Sequence, residues 1–268
     1  MRVIRIVCLM LGMALSAWAN VRSGRASAEW VSASSAFEAG SPLQTAIRLS
    51  LDDGWHTYWL NPGDGGMKTS VEWELPAGWT AEIAHPVPKR FQTGGLSGFG
   101  YEGTVLFPVT LTPPADVAGP VVLEAKVSWL TCNDDSCVPG NAELPLKLDV
   151  GPLKPTVDAE AIRDAFSKVP RPQKEWVRLD VREKPAVLAL SIEIQAGREL
   201  DLSRCEVFPA TANVIDPGAV FRFVRNDSGG WIAEAPKSEY VTGTVKELTL
   251  VLAGEGLKEP IELKWQKP

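Results

Sequence analysis

The sequence predicts an all-β protein, two β-sandwich domains joined by a short helical linker and preceded by a cleaved leader. Three observations carry this. The 268 residues include 23 Gly, 21 Pro and 10 Trp, a composition that favours short strands and turns over long helices. Apolar and polar residues alternate with period two in several places, most clearly over 121–131 and 143–150. The texture changes at Gly151–Pro155, and domains of roughly 100–150 residues make two units the natural division of this length. Hydrophobic residues at 45% and charged residues at 22% exclude a disordered chain or a coiled coil. A formal charge of −6 argues against nucleic acid as a partner, because a phosphate-binding face needs clustered Lys and Arg.

The first nineteen residues read as an export signal. Arg2 and Arg5 precede an apolar run from Ile6 to Leu15, and Ala17-Trp18-Ala19 supplies the small-x-small cleavage pattern. The run is short for a bilayer span; a retained anchor is the rival reading. No later stretch is apolar enough to span a membrane. Residues 20–29 are small and polar and read as a loose tail, so the first sandwich is expected over 30–150.

Within that domain, 46–51 alternates and ends at the turn Asp52-Asp53-Gly54. Trp55–Leu60 is aromatic, and Asn61–Gly66 is a strong breaker. Val71–Leu75 and Val105–Leu111 read as strands. His85–Gly100, with Pro86, Pro88 and several late Gly, reads as a long exposed loop. Leu123, Ala125, Val127, Trp129 and Thr131 share one face, as do Leu144, Leu146, Leu148 and Val150. These two strands are expected to form an antiparallel hairpin, with residues 132–141 as a connection turning at Pro139-Gly140. After the break, Thr156 can cap a short helix with Asp158 and Glu160 near its start and Lys168 near its end. Residues 151–175 are thus a linker. Strands resume over 176–268, at 176–181, 186–194, 220–225, 231–235 and 245–252, with Asn226–Gly230 as a turn.

Chemistry concentrates at the cysteines. Cys8 lies in the leader, which leaves Cys132, Cys137 and Cys205. Cys132 and Cys137, with four residues between them in one hairpin, are within disulfide reach. Closing so short a loop stabilises by only about 2 kcal/mol on the chain-entropy account, so reversible exchange and a permanent staple both remain open. A zinc site would need two further ligands, and the chain has only His56 and His85. With two histidines and no Ser-His-Asp or phosphate-loop pattern, hydrolase schemes lack a base. No cofactor and no metal is read from the sequence. Asp134 and Asp135 between the cysteines would disfavour a thiolate, or are simply solvated. His85 is expected to be exposed, Cys205 to be a buried inert thiol, and Trp129 and Trp231 to be core.

The segment from Gly54-Trp55-His56-Thr57-Tyr58-Trp59 to Asn61-Pro62-Gly63-Asp64 resembles the N-terminal periplasmic region of the thiol:disulfide interchange protein DsbD family. So do Pro88–Phe91, Gly98-Phe99-Gly100-Tyr101-Glu102-Gly103, and Ser128-Trp129-Leu130 leading to Val138-Pro139-Gly140. The resemblance covers about 30–150 and extends weakly beyond. It implies immunoglobulin-like sandwiches whose cysteines shuttle reducing equivalents. Electrons would pass from a thioredoxin-like periplasmic donor to exported oxidised proteins. By position it makes Cys137 the cysteine that forms mixed disulfides, Cys132 its resolving partner, Phe91 the aromatic of a cap, and His56, Tyr58 and Tyr101 site-lining residues. His56 stands where the family has Tyr, and Lys89 and Arg90 where its cap is acidic. The family's membrane electron conduit would then be a separate chain. The reading is therefore a periplasmic thiol–disulfide exchange module. Its rivals are an exported adaptor with a structural disulfide and a copper-handling protein in which Cys132, Cys137 and His56 hold Cu(I).

Overall fold

The computed structural model describes residues 20–198 and 200–268. The export signal expected over residues 1–19 lies outside the described residues. Among those described, no helix is long and apolar enough to cross a membrane. The chain folds into two β-sandwiches, the all-β class expected.

The first sandwich contains twelve strands. In chain order they are β1 (Val21–Ser23), β2 (Ala26–Ser32), β3 (Ala36–Phe37), β4 (Leu43–Leu51), β5 (His56–Gly63) and β6 (Ser70–Glu74). There follow β7 (Thr80–Ile83), β8 (Lys89–Thr93), β9 (Leu96–Glu102), β10 (Thr104–Thr112), β11 (Val121–Cys132) and β12 (Cys137–Val150). One sheet has the order β1-β2-β4-β10-β7; the other runs β3-β12-β11-β5-β9-β8, with β6 pairing β11. Between them lie Trp30, Ile47, Leu49, Trp59, Phe99, Phe107, Leu123, Trp129 and Leu144, all essentially sealed from solvent. Two aligned sheets with interleaved inward faces make one core.

Three expectations are corrected here. Residues 20–29 are no loose tail: Ala26 and Ala28 are fully buried and alternate in register with Trp30 along β2. Small side chains gave this strand a weak hydrophobic signal. The stretch 85–100 is not an open loop: β8 and β9 form a hairpin joined by Gly94 and Gly95, at φ +57° and +86°. Two glycines with positive φ are what a tight two-residue hairpin turn requires. The expected turn at Pro139-Gly140 is strand as well, because β12 begins at Cys137.

Helix α1 (Ala159–Ser167) is not a free spacer. Its Ile162 is fully buried against Val31 and Ala46, and Phe166 and Leu106 pack on the same cluster. Thr156 sits before it, its hydroxyl donating to the Ser32 carbonyl at 2.6 Å. The amphipathic helix thus covers the outer face of the first sandwich.

The second sandwich pairs two four-stranded sheets. One contains β13 (Arg171–Pro172), β16 (Glu206–Pro209), β19 (Glu247–Ala253) and β20 (Ile261–Gln266); the other contains β14 (Val177–Glu183), β15 (Val187–Ile194), β17 (Val224–Arg225) and β18 (Trp231–Pro236). Leu188, Ile192, Leu248, Leu250 and Leu263 fill its core. The expected strand 220–225 shortens to β17, and β16 and β20 carry pairing the sequence pattern did not single out. The two sandwiches share a packed seam. Phe208 of β16 is fully buried with its ring 6.3 Å from Trp59 and 6.1 Å from Phe99.

Candidate functional site

The β11–β12 ladder runs unbroken from Val121↔Leu148 to Cys132↔Cys137. The two cysteines are thus the last rung of a hairpin, not occupants of a long loop. They form a disulfide with Cα atoms 4.1 Å apart. Opposed residues that do not exchange main-chain hydrogen bonds approach closest in an antiparallel pair, to about 4.5 Å. The main-chain bond falls one rung further, from Asn133 N–H to the Ser136 carbonyl at 3.0 Å. Asn133 organises the turn: its Oδ1 accepts from the Asp135 amide at 3.1 Å and the Ser136 amide at 2.8 Å. This is the Asx-turn chemistry that suits Asn to a short connection. Below the cysteines, Gly140 lies under the Trp129 indole, where a Cβ would stand 2.4 Å from the ring.

The two sulfurs are not equivalent. Cys132 is fully buried, while Cys137 is exposed. The sheet order explains the difference. β11 is flanked by β12 on one side and β5 on the other, where Cys132 pairs with His56. Cys137 opens β12, whose outer side here has no strand partner among the described residues beyond the short β1 contact.

β5 is buried on both faces. Thr57 and Trp59 point to the core, and His56 and Tyr58 point outward yet are buried too. What covers them is Phe91 of β8. Its ring centroid is 4.0 Å from that of His56 and 5.8 Å from that of Tyr58. β9 has no side chains beneath it: Cβ atoms at Gly98 and Gly100 would lie 2.5 Å and 3.0 Å from the Phe91 ring. Gly66 plays the same part under Tyr58, where a Cβ would lie 2.2 Å from the ring. A cleft of about 120 Å³ remains between Tyr58, Phe91, Leu96 and Cys137. The cover is therefore an aromatic plate resting on glycine backbone, with a narrow opening to the exposed sulfur.

The environment keeps the polar groups neutral. Burial lowers the His56 pKa, against the opposing pull of Glu102 and Asp134, so the imidazole is uncharged at neutral pH. Its Nε2 stands 3.4 Å from the Tyr58 hydroxyl. Burial raises the Tyr58 pKa, which keeps the phenol protonated. The basic pair of the cap does not face the sulfurs. Lys89 stands 3.8 Å from the Glu102 carboxylate, and Arg90 turns toward the second sandwich.

Of the expected site residues, Cys132, Cys137, His56, Tyr58 and Phe91 come together. Tyr101 does not line the site. It pairs with Thr57 on the core-facing phase of β9, donates its hydroxyl to the Pro86 carbonyl at 2.8 Å, and packs on Phe107. Period two puts it on the face opposite Gly100. His85 is not exposed as expected either. Its Nε2 is enclosed without a hydrogen bond, its ring lies 5.5 Å from Phe107, and desolvation pulls its pKa down to about 4. Cys205 is a free thiol, partly exposed in a groove between the sandwiches, with its pKa pushed up to about 11 by burial and Asp201. The sequence reading missed Gly98 and Gly100 as parts of the cover. Their signal was present in Gly98-Phe99-Gly100, glycines at alternate positions with no turn between them.

Residues 27–148 match the family model of the thiol:disulfide interchange protein DsbD, N-terminal. That segment is similar to a DsbD N-terminal domain. It contains both cysteines, the whole β8–β9 cover and the strands that position them. The match therefore covers most of the first sandwich, and the second lies outside it. A solved structure, the N-terminal periplasmic domain of ScsB from Proteus mirabilis, aligns with 90% of this chain and 91% of its own at a TM-score of 0.61 and 19% identity. At that identity the likeness speaks for the fold, and it spans both sandwiches. A marsupial T cell receptor also aligns, at 12% identity and a TM-score of 0.21, too low to carry any argument. A comparison with curated proteins finds no match.

Proposed function

We propose that this protein is a periplasmic thiol–disulfide exchange module working through Cys132 and Cys137. Three things support the reading: the DsbD N-terminal match, the ScsB domain described as periplasmic, and the export signal expected at the N-terminus. The observation that carries it is the asymmetry of the disulfide, one cysteine sealed in the sheet and one exposed beside the Phe91 ring. A stability staple has no use for such a difference. Exchange does, because an incoming thiolate must reach one sulfur and expel the other.

In the reductive half-cycle a thiolate of a thioredoxin-like donor attacks Cys137 Sγ. The Cys132–Cys137 bond breaks, a mixed disulfide forms, and Cys132 leaves as thiolate and takes up a proton. The donor's second thiol then attacks its own sulfur in the mixed disulfide and releases Cys137. Two electrons and two protons have moved to this chain. Delivery to an oxidised exported client reverses the roles: Cys137 attacks, and Cys132 resolves. His56, Tyr58 and Phe91 wall the buried Cys132 side of the disulfide between encounters, and docking of a partner displaces Phe91.

Trapping tests the assignment. A thioredoxin-like partner lacking its resolving cysteine is loaded as a mixed disulfide with an aromatic thiol leaving group. Cys132→Ser, with Cys137 reduced, is expected to expel the aromatic thiol and accumulate a covalent adduct; Cys137→Ser is expected not to. An adduct with Cys137→Ser alone reverses the roles. If neither variant forms one and the native disulfide survives a strongly reducing buffer, the pair is a permanent staple.

A further inference from the structure

Phe91 and Arg90 are neighbours on β8, so they leave the strand in opposite directions. Phe91 covers His56. Arg90 reaches across the seam into the second sandwich. Its guanidinium donates to the Val207 carbonyl at 2.5 Å and the Pro217 carbonyl at 3.0 Å. It also lies over two rings, 5.0 Å from the Phe99 centroid and 5.4 Å from that of Phe208. The four partners come from both sandwiches: Phe99 from β9, and Val207, Phe208 and Pro217 from the second.

The acceptors belong to a strand edge. β16 is the last strand of its sheet, so its outer carbonyls have no ladder partner. Arg90 satisfies the one at Val207, and Asn61 of β5 donates to the one at Pro209 at 2.7 Å. The loop after β16 presses on the same hairpin from β9's side, since a Cβ at Gly218 would lie 3.2 Å from Ser97 Oγ. Phe91 borders two spaces. One is the cleft of about 120 Å³ at Cys137, and the other an open groove of about 570 Å³ between the sandwiches. Once β8 is released, the ring has somewhere to move.

We propose that Arg90 is a positioning residue that latches the β8–β9 cover to the second sandwich, so that the second sandwich sets how readily the cover moves aside from the Cys132–Cys137 disulfide. The assignment rests on the exchange reading above. It gives the second sandwich a role in that chemistry without placing any of its residues at the sulfurs. The latch is made of charge-to-carbonyl hydrogen bonds and ring stacking rather than a carboxylate pair, so moderate salt leaves it in place.

The test uses the full oxidised chain and the rate at which dithiothreitol reduces Cys132–Cys137, followed by quenched alkylation and mass. Phe91→Ala removes the cover outright. Arg90→Gln, which keeps a polar side chain, is expected to raise the rate about tenfold, the change that a loss of one or two such bonds from the closed state predicts. Arg90→Lys, which keeps the charge but loses the planar fork, is expected to remain fast. Phe208→Leu, which keeps the seam packed but removes one ring from the guanidinium, is expected to give a smaller rise. The double variant Arg90→Gln/Phe91→Ala is expected to react no faster than Phe91→Ala alone, because both changes act through one cover. A general loosening of the fold would make the two effects multiply, and that result overturns the latch. So does an Arg90→Gln rate equal to wild type while Phe91→Ala is fast; exchange at Cys137 then stands. If dithiothreitol leaves the disulfide intact in every variant, the exchange reading falls and the latch with it.

Discussion

Cys132 and Cys137 face each other across one rung of an antiparallel ladder, yet one is fully buried and the other exposed. Neighbouring strands, not the loop between the cysteines, create the difference. Cys132 has β5 on its far side and Cys137 has open edge. Of the two residues, Cys137 is the one open to solvent.

The first prediction concerns connectivity. Peptide mapping of the purified protein under non-reducing conditions is expected to show Cys132 joined to Cys137 and Cys205 as a free thiol. With its pKa near 11, Cys205 is mostly protonated at pH 8, and native alkylation there is expected to be slow until denaturant is added. A bond from Cys205 to either partner contradicts this.

Gly98 and Gly100 separate two effects of adding one methyl. At Gly98 the new Cβ meets the end of the Phe91 ring, 2.5 Å away, so Gly98→Ala is expected to tilt the ring and speed reduction by small thiols. At Gly100 it meets the Thr57 carbonyl, 1.9 Å away, which is backbone and cannot turn aside. Gly100→Ala is expected to destabilise by roughly 1–3 kcal/mol, the usual range for overpacking. Urea midpoints and dithiothreitol rates for both variants check the distinction.

Helix α1 is expected to matter to the first sandwich more than its place between sandwiches suggests. Ile162 is fully buried on Val31 and Ala46, so Ile162→Ala is expected to cost about 2–4 kcal/mol. By the same argument a fragment of residues 20–150 folds cooperatively but with a lower urea midpoint than one of 20–169. Equal midpoints would show that the helix contributes nothing.

The enclosed His85 gives stability a pH dependence of definite sign. Its pKa is about 4 in the folded protein and about 6.5 in an unfolded chain. Above pH 6.5 both states hold a neutral imidazole. As pH falls below 6.5 the unfolded chain binds the proton first, and the folded state loses roughly 2 kcal/mol by pH 5 from this group. His56, also lowered, acts in the same direction. Urea midpoints at pH 7.5 and pH 5 are expected to differ less for His85→Gln than for wild type.

The all-β class, the hairpin from Val121 to Val150, the pairing range of Cys132 and Cys137, and the grouping of Phe91, His56 and Tyr58 near them were legible in the sequence. These features lie in local pattern: alternation, spacing and short motifs. Strand length at the cysteines was misjudged because Pro139-Gly140 carries turn chemistry, and only the Trp129 ring over Gly140 shows why a glycine belongs in that strand. Tyr101 shares a motif with the cover but points into the core, because strand phase depends on which face is buried, and that is a property of the packed sheets. Ala26 and Ala28 read as a tail because small side chains say little until Trp30 and the facing sheet enclose them. The tertiary structure alone decided the accessibility of each sulfur and the contact of Arg90 with Val207, 117 residues away. Burial and long-range hydrogen bonds depend on which strands become neighbours, and no local window of sequence contains that information.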